Sequence, residues 1–433
     1  MRKKTNKTSK KNKALALQTP KGMHDILPQD QVFWNRIKRQ VKEIAEYYSF
    51  LRIDTPILER AELFERSLGE TTDVVEKQMF VFKSKGKDRL VLRPEGTASI
   101  ARAYIQHGLS HIAQPLKLYY EGPMFRYEQP QAGRFRQFHQ AGFEMISHDD
   151  DPIYDAQVIL ACYRAIEGLK IKKLTIQINT IGCKNCRPAY RQKLQNYYKS
   201  RERHLCRDCR RRLTTNPLRL LDCQNKDCQD LKKDAPIMLD NLCGFCNSHF
   251  KAVLEYIEEL KLPYNLNNHL VRGLDYYNRT VFEIFAEGFY SALAGGGRYD
   301  YLIELLGGRH SSAVGGAIGL ERLIEVIKAS NIIFPMKTKN KVFLIHIGNL
   351  AKKKSLTLIE ELRNNNIDIL ESLGKDSLKA QLRSADKFKC PLALIFGQKE
   401  AFEESIIIRD LHYGTQETVP LKKMADVIKR KLK

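Results

Sequence analysis

Apolar residues in the first hundred positions of the chain recur at two spacings, one typical of helices and one typical of strands. Residues 30–48 carry apolar side chains three or four positions apart and therefore predict a helix. Residues 51–58 predict a strand, which Pro56 places at a sheet edge or bulge because proline has no backbone N–H to donate. Residues 79–83 and 90–93 predict a hairpin, and a helix is expected to follow it.

The middle of the chain predicts two strands that carry arginines, glutamines and aromatic rings together. Residues 116–120 predict the first strand, which Gly122 and Pro123 interrupt before residue 124, and residues 134–144 predict the second. Arginine binds phosphate oxygens through paired hydrogen bonds, and aromatic rings stack on bases. This face therefore predicts a site for a phosphorylated, base-containing ligand. A solvated sheet face is the alternative, but it leaves the aromatic residues without a role.

A predicted strand near residue 281 has a highly charged beginning. Val281 and Phe282 favour a buried strand, whereas Arg272, Asp275 and Arg279 precede them closely. A buried charge costs several kcal/mol unless it is paired or meets a ligand. This window alone leaves two interpretations open, a salt-bridged strand edge and a ligand site.

Beyond Pro335 the pattern changes to a regular alternation of strands and helices, which predicts a separate α/β domain that is largely parallel. The predicted elements are strands at 342–347, 367–370 and 392–396, helices at 353–364 and 378–387, a strand pair near 406 and 419, and a basic terminal helix.

Composition and charge add a class of partner. The chain has 433 residues, of which 43% are hydrophobic and 28% charged, so it can bury more than one core and predicts about three domains. Its net charge of +23 predicts a polyanionic partner, most simply nucleic acid, because neutralised phosphates release counterions. We expect no membrane span, since no window approaches about 18 uninterrupted apolar residues. A cytoplasmic location is expected, since the N-terminus lacks an apolar signal-peptide core.

The first 18 residues predict a basic, disordered tail. They hold one arginine and many lysines, and no acidic residue precedes Asp25. A solvated tail is the preferred interpretation, a non-specific RNA-grasping arm is the second, and an organellar transit peptide is the third.

Five short motifs, in one order along the chain, resemble those of a known enzyme family. They are residues 51–58 (motif 1 of the class II aminoacyl-tRNA synthetases), 125–128 with Phe138 (motif 2), 270–283 and 294–300 (the two histidine-specific motifs of the histidyl-tRNA synthetases) and 315–323 (motif 3). The resemblance covers nearly everything from Lys21 onward.

The resemblance implies an α+β fold: a class II catalytic domain, with an antiparallel sheet flanked by helices, and a C-terminal α/β anticodon-binding domain. The implied division is a tail at 1–18, the catalytic domain at 19–180 and 263–335, an inserted domain at 181–262 and the anticodon-binding domain at 336–433. It also implies a homodimer.

The implied reaction joins histidine to tRNA. ATP and histidine would give histidyl-adenylate and pyrophosphate, and histidine would then pass to the 3′ end of tRNA(His). Such chemistry needs positioning and charge neutralisation more than a protein nucleophile, which agrees with the absence of a Walker loop or a nucleophile elbow from the sequence. The implied ATP contacts are Arg126 at the α-phosphate, Glu128 at the adenine edge, Arg134 at the outer phosphates, and Phe138 and Arg322 on the two adenine faces. Mg²⁺ would neutralise the β- and γ-oxygens.

Histidine selection is implied by the same resemblance. Arg272 would lie between the α-phosphate and the histidine carboxylate. The remaining implied contacts are Glu95, Thr97 and Gln140 at the α-ammonium group, Glu144 and Tyr277 at the two ring nitrogens, and Tyr276 with the glycines 295–297 around the pocket. Asp275, Asn278 and Arg279 are interpreted as residues that orient the others.

Eight of the ten cysteines fall between positions 183 and 246 and form four close pairs: Cys183 with Cys186, Cys206 with Cys209, Cys223 with Cys228, and Cys243 with Cys246. Two thiolates in one turn can hold one side of a tetrahedral Zn²⁺ ion, so four pairs predict two Cys₄ zinc sites. Disulfides, an iron–sulfur cluster, and ligation by His204 or His249 are the alternatives. Cys162 and Cys390 have apolar neighbours and predict core residues.

The cysteine-rich insert departs from the commonest form of the family, whose inserted domain needs no metal. It predicts a small domain held together by metal, and its arginines at 187, 191, 201, 203, 207 and 210–212 either brace the tRNA acceptor stem or form a solvated surface.

The motif 2 loop is a second departure. Gln129 and Ala132 stand where many members carry basic residues, which leaves recognition of the tRNA 5′ end open.

Two rival hypotheses accompany the synthetase. One is a regulatory subunit of ATP phosphoribosyltransferase, which usually lacks the C-terminal domain and keeps the histidine motif poorly. The other is a zinc-dependent RNA-binding protein with a relict catalytic body, which the complete set of arginines argues against.

Overall fold

The computed structural model describes residues 17–69, 72–129, 133–334 and 341–432. These residues form two compact units that divide between Phe334 and Pro335. The predicted N-terminal tail lies almost entirely outside the described residues.

The first unit is built on a large mixed sheet. Its N-terminal elements are α1 Gln31–Tyr47, β1 Leu51–Arg52, β2 Leu58–Arg60, α2 Ala61–Leu68, β3 Phe80–Lys83, β4 Arg89–Leu92, α3 Thr97–Gln106, β5 Leu116–Phe125, β6 Gln137–Ser147, α4 Ile153–Glu167 and β7 Leu174–Thr180. The insert contributes α5 Arg187–Lys199, α6 Arg207–Thr215, α7 Lys226–Lys232 and α8 Gly244–Glu259. The remaining elements are β8 Tyr264–Leu266, β9 Asn278–Ala286, β10 Ala294–Arg298, α9 Leu302–Leu305, β11 Ser312–Gly319 and α10 Leu320–Ala329.

Strand order in this sheet, over the described residues, is β1-β5-β6-β11-β10-β9-β7-β8. The inner pairs are antiparallel, whereas the two outermost pairs, β1 with β5 and β7 with β8, are parallel. Helix α4 packs on β6 and β11, and α1, α8 and α10 surround it to cover one face of the sheet. Strands β2, β4 and β3 form a separate small antiparallel sheet. The predicted α+β class II architecture is confirmed.

The predicted interruption of β5 at Gly122 and Pro123 is wrong, because the strand runs without a break through both residues. Pro123 lies opposite His139 of β6, and β1 on the other side pairs only as far as Tyr119. The missing proline N–H therefore faces an edge without a strand partner. Strand β6 starts at Gln137, three residues later than predicted.

The second unit contains β12 Val342–His346, α11 Asn349–Asn364, β13 Ile369–Glu371, α12 Leu378–Lys387, β14 Leu392–Phe396, α13 Gln398–Phe402, β15 Ser405–Asp410, β16 Gln416–Pro420 and α14 Leu421–Lys431. Its strand order is β13-β12-β14-β15-β16, with parallel pairing up to β14 and antiparallel pairing beyond it. The alternating pattern predicted these elements except α13. In neither unit do the described residues include a helix that is long and apolar enough to cross a membrane.

Candidate active site and cysteine groups

A cavity of about 1150 Å³ opens between strands β5, β6, β9 and β10 and the cysteine-rich insert. Its wall contains eleven of the twelve residues that the sequence assigned to ATP or histidine: Glu95, Thr97, Arg126, Glu128, Arg134, Phe138, Gln140, Arg272, Tyr276, Tyr277 and Arg322. The twelfth, Glu144, lies beneath the wall and is fully buried. The fold thus brings residues from distant motifs together.

Four arginines of this cavity, Arg126, Arg134, Arg272 and Arg322, lie close enough to influence one another. Arg126 donates from Nε to the Pro94 carbonyl at 2.9 Å, and its guanidinium lies 5.4 Å from the Phe138 ring centre. Arg322 donates to the carbonyls of Gly133 and Ala292 at 3.2 and 2.7 Å. Burial, followed by the like charges of Arg134 and Arg126, lowers the pKa of Arg322. Positive groups that depress one another's charge in this way favour a bound anion.

Arg272 lies in the irregular segment before β9, packs against Gly295 of β10 and forms an ion pair with Glu283 of β9. The neighbouring strand leaves room for it, because a Cβ at Gly295 would stand 2.6 Å from Arg272 Nη1. Sequence analysis identified the glycines at 295–297 but not this steric reason for Gly295. Glu283 was inside the quoted motif, but no pattern identified it as the partner of Arg272.

Glu95 caps the start of α3 and also faces the cavity. Its carboxylate accepts from the backbone N–H groups of Thr97 and Ala98 at 2.6 and 2.8 Å. The Tyr276 hydroxyl lies 3.5 Å from the same carboxylate. Burial raises the pKa of Glu95. Glu95 therefore stabilises the start of the helix, as glutamates at this position often do, and its carboxylate also faces the cavity.

Glu144 is held from two sides below the cavity. The Thr97 hydroxyl donates to Oε1 at 2.7 Å, and the Tyr299 hydroxyl donates to Oε2 at 2.6 Å. Burial raises the pKa of this carboxyl to about 8. A Cβ on Gly315 of β11 would overlap the carboxylate, so that position requires glycine. Sequence analysis did not find Tyr299, although the residue lies in the second histidine-specific motif.

Four buried polar atoms of residues in the cavity wall lack a hydrogen-bond partner in the described part of the chain. They are Gln140 Oε1, the Tyr120 hydroxyl, Arg272 Nε and His269 Nε2. A buried polar group without a partner costs about 1–3 kcal/mol, which a ligand atom can recover. Gln140 was predicted to contact the ligand, whereas Tyr120 was not.

The three residues interpreted as orienting the others make different contacts. Asn278 donates to Asp300 at 2.7 Å, and Arg279 donates to Asp150 at 2.7 Å. Asp300 also accepts from the fully buried Arg298 at 3.2 Å, so both residues belong to an ion-pair network under β9 and β10. Asp275 instead accepts hydrogen bonds from Asn216 of the insert.

The eight paired cysteines assemble into two groups of four. The outer group joins the first pair to the last (Cys183, Cys186, Cys243 and Cys246), and the inner group joins the middle pairs (Cys206, Cys209, Cys223 and Cys228). Within each group the sulfur atoms lie within 4.8 Å of one another. Neither His204 nor His249 belongs to these groups.

Sulfur separations distinguish a metal from a disulfide. They are 3.6 Å for Cys183 and Cys186, 4.0 Å for Cys183 and Cys243, and 3.8 Å for Cys206 and Cys223. A disulfide requires about 2.05 Å. A tetrahedron with Zn–S bonds of about 2.3 Å has edges of about 3.8 Å. The geometry therefore fits one tetrahedral ion per group. Cys162 and Cys390 are buried elsewhere, as predicted.

The insert's arginines largely serve the protein itself. Arg210 donates to the carbonyls of Leu205 and Arg203, and Arg212 forms an ion pair with Asp73 at 2.7 Å. The others with contacts of this kind are Arg187, Arg191, Arg201 and Arg211. Arg207 lines the cavity. In the motif 2 loop, Gln129 is described, whereas Gln131 and Ala132 lie outside the described residues.

Comparisons with known proteins give a consistent result. A family model for histidyl-tRNA synthetase matches residues 22–323, and one for the anticodon binding domain matches residues 341–431. The histidine–tRNA ligase of Dehalococcoides mccartyi is 44% identical over 96% of this chain and 100% of its own length. That of Desulfitobacterium hafniense is 42% identical over 97% and 99%. The crystal structure of apo Staphylococcus aureus histidyl-tRNA synthetase matches with a TM-score of 0.79 and 32% identity, covering 95% of this chain and 100% of that one.

Proposed function

The chain belongs to the histidyl-tRNA synthetase family, and we propose that the cavity between its sheet and its cysteine-rich insert is the site of histidine activation. The enzyme is a histidine–tRNA ligase: it joins histidine to ATP with release of pyrophosphate and transfers the histidine to tRNA. The observation that carries the site assignment is the convergence of four arginines with Glu95, Thr97 and Gln140 in one cavity.

The arginines act on the phosphates of ATP. Arg126 and Arg272 bind the α-phosphate, where negative charge develops as the histidine carboxylate attacks. Arg134 neutralises the outer phosphates, Phe138 and Arg322 enclose the adenine, and Glu128 accepts from its edge. Mg²⁺, when bound, neutralises further phosphate charge. The Glu283 carboxylate in the cavity wall is a suitable ligand for this ion, because Mg²⁺ binds through one or two carboxylates together with substrate phosphates.

The opposite end of the cavity selects histidine. Glu95, Thr97 and Gln140 bind the ammonium group, for which Gln140 Oε1 is already buried without a partner among the described residues. Glu144 and Tyr277 recognise the ring nitrogens. A site that pairs both nitrogens rejects amino acids that lack them, because its buried polar groups would then stay unpaired.

The two cysteine groups hold zinc in this proposal. Their sulfur spacing suits a single tetrahedral ion, and small domains of this size commonly need metal to fold. Thiolate ligands require a reducing environment, which agrees with a cytoplasmic location.

The partners of the reaction are tRNA, histidine and ATP. We assign the second unit to the anticodon of tRNA(His) because the anticodon-binding model matches it. Arg207 and Lys232 of the insert face the cavity and would meet the acceptor end. A homodimer is supported by apolar side chains exposed along β1, β2 and β3, namely Leu51, Leu58, Val81 and Phe82.

Transfer of labelled histidine to tRNA(His), with ATP and Mg²⁺ present, tests the proposed function. The synthetase gives ATP-dependent charging and, without tRNA, histidine-dependent pyrophosphate exchange. A regulatory subunit would bind ligands and give neither reaction, and a zinc-dependent RNA-binding protein would bind tRNA without charging it.

A further inference from the structure

The insert contacts the catalytic segment 272–277 directly, at its beginning, its middle and its end. Three insert side chains donate these hydrogen bonds: Arg219 Nη1 to the Arg272 carbonyl at 3.3 Å, Asn216 Nδ2 to the Asp275 carboxylate at 3.0 and 3.1 Å, and Arg187 Nη2 to the Tyr277 carbonyl. The two ends of the segment are the residues assigned to the α-phosphate and to the imidazole.

This segment has little regular structure of its own. Residues 272–277, all of them described, form neither helix nor strand, and β9 begins at Asn278. The backbone N–H of Asp275 donates to the Leu68 carbonyl at 3.2 Å, which ties the segment to the end of α2. Segments without a ladder of backbone hydrogen bonds keep one conformation when side chains fix them.

The three donors are themselves fixed inside the protein. Arg219 is 8% exposed and forms an ion pair with Asp73 at 3.2 Å. Arg187 also donates from Nε to the Ile181 carbonyl at 3.2 Å. Asn216 Nδ2 donates to both carboxylate oxygens of Asp275, and both residues are partly buried.

Each donor lies directly beside, or between, cysteines of one of the two groups. Arg187 directly follows Cys186 of the outer group, and Asn216 and Arg219 lie between Cys209 and Cys223 of the inner group. An interaction that keeps the four sulfur atoms of each group together therefore also keeps the three donors against the catalytic segment.

We propose that Arg187, Asn216 and Arg219 are positioning residues for histidine activation, and that the insert acts on this step without tRNA. The proposal rests on the proposed roles of Arg272 and Tyr277. It gives the insert a part in the first half of the reaction, in addition to any contact with the acceptor stem.

Histidine-dependent pyrophosphate exchange in the full-length protein, without tRNA, tests this proposal. Arg219→Ala and Arg187→Ala release one end of the segment each, and a displacement of 1 Å can cost about a hundredfold in rate. We expect kcat/KM for histidine to fall at least about tenfold in each, with a smaller change in KM for ATP. Arg210→Ala is the matched control, because Arg210 also binds two backbone carbonyls but only within the insert. We expect its exchange to stay within about twofold of the parent.

An exchange of partners separates positioning from general stability. Asn216→Asp places a second carboxylate against Asp275 and should lower exchange. Combining it with Asp275→Asn restores one amide and one carboxylate with reversed roles, and should recover exchange well above either single variant.

The outcomes separate the two proposals. A parent protein without exchange would overturn the proposed function. An active parent, together with Arg187→Ala and Arg219→Ala variants that match Arg210→Ala, would overturn the positioning role, and so would a double variant without recovery. Thermal unfolding of every variant identifies those that fail to fold. If Arg187→Ala or Arg219→Ala fails to fold, Arg187→Lys or Arg219→Lys is measured instead and judged by the same criteria.

Discussion

Arg272 illustrates how one side chain can be partly paired without ligand and still have a free donor for one. Its ion pair with Glu283 compensates part of its charge, while Arg126 and Arg322 line the same cavity. Like charges so close together are stable when each has a partner, and a triphosphate can supply the further negative charge.

Replacing Arg272 by alanine should remove histidine-dependent exchange and leave the fold intact. Loss of one preorganised donor to a developing charge typically costs about a hundredfold to a thousandfold in kcat. Arg272→Lys should recover little, because an ammonium group cannot make the paired bonds of a guanidinium. Arg363→Ala, which removes an ion pair on the surface of α11, is the control. Exchange near the parent rate in Arg272→Ala would disprove the assigned role.

Glu144 makes the stability of the protein depend on pH. Its pKa of about 8 in the folded protein exceeds the ordinary carboxyl value of 4.5 because of burial. The folded state therefore binds more protons, and the stabilisation present below pH 4.5 declines as the pH rises to about 8, at up to about 1.4 kcal/mol per pH unit. Glu144→Gln should melt with less pH dependence than the parent between pH 5 and 8, and Glu360→Gln should match the parent. Equal slopes in the parent and Glu144→Gln would contradict this explanation.

Sequence motifs identified Glu144 but not the partner that holds it. Tyr299 and Glu144 are 155 positions apart in the chain and meet only through the pairing of β6, β11 and β10. Hydrogen bonds between distant positions leave no local pattern in one sequence. The same reason explains why Tyr120 and the three insert donors were not found.

Among the elements, β5 shows where a local rule gave the wrong answer. Glycine and proline usually end a strand, yet here they occupy a stretch with a neighbour on one side only. Whether a strand has one neighbour or two depends on the whole sheet. Helix α1 was predicted closely because its apolar side chains follow a helical spacing, and α12 matches its predicted bounds.

The insert shows a second limit of sequence analysis. Spacing identified four cysteine pairs, but each pair could combine with any of the other three. The polypeptide path between α5 and α8 selects the nested arrangement. The number of four-cysteine groups could be predicted from the sequence, whereas their membership could not.

Metal analysis of the purified protein should find about two zinc ions per chain, one for each Cys₄ group. Cys183→Ser and Cys206→Ser should each lower the content to about one ion and reduce exchange without tRNA, since the donors to residues 272–277 lose their support. Cys390→Ala, in the second unit, should keep both ions. A parent protein without zinc would disprove the metal assignment.

For the whole molecule, the two units differ in how their cores are built. The first surrounds an open cavity with charged side chains, while the second fills both faces of a small sheet with apolar residues. The second could be predicted almost completely as an α/β domain from the sequence. Its role, by contrast, came from resemblance, because a small α/β domain can serve many functions.

Self-association should depend on the exposed apolar side chains of β1, β2 and β3. Val81 and Phe82, which follow one another in β3, are 40% and 43% exposed. Val81→Glu should shift the protein from dimer to monomer in sedimentation, because an unpaired charge in an interface costs several kcal/mol. Tyr413→Glu, an equally drastic change at an exposed site of the second unit, should leave the mass unchanged. A monomeric parent would contradict the proposed dimer.

The nested cysteine groups also favour one order of assembly. All four thiols of the inner group have been synthesised before Cys243, so a growing chain can complete the inner group while the outer one is still incomplete. Loop-closure entropy favours the same order, since the outer loop costs about 1 kcal/mol more to close than the inner one. Once the inner loop is closed, it shortens the free chain between Cys186 and Cys243. Chain order and loop-closure entropy therefore both favour closing the inner group before the outer one.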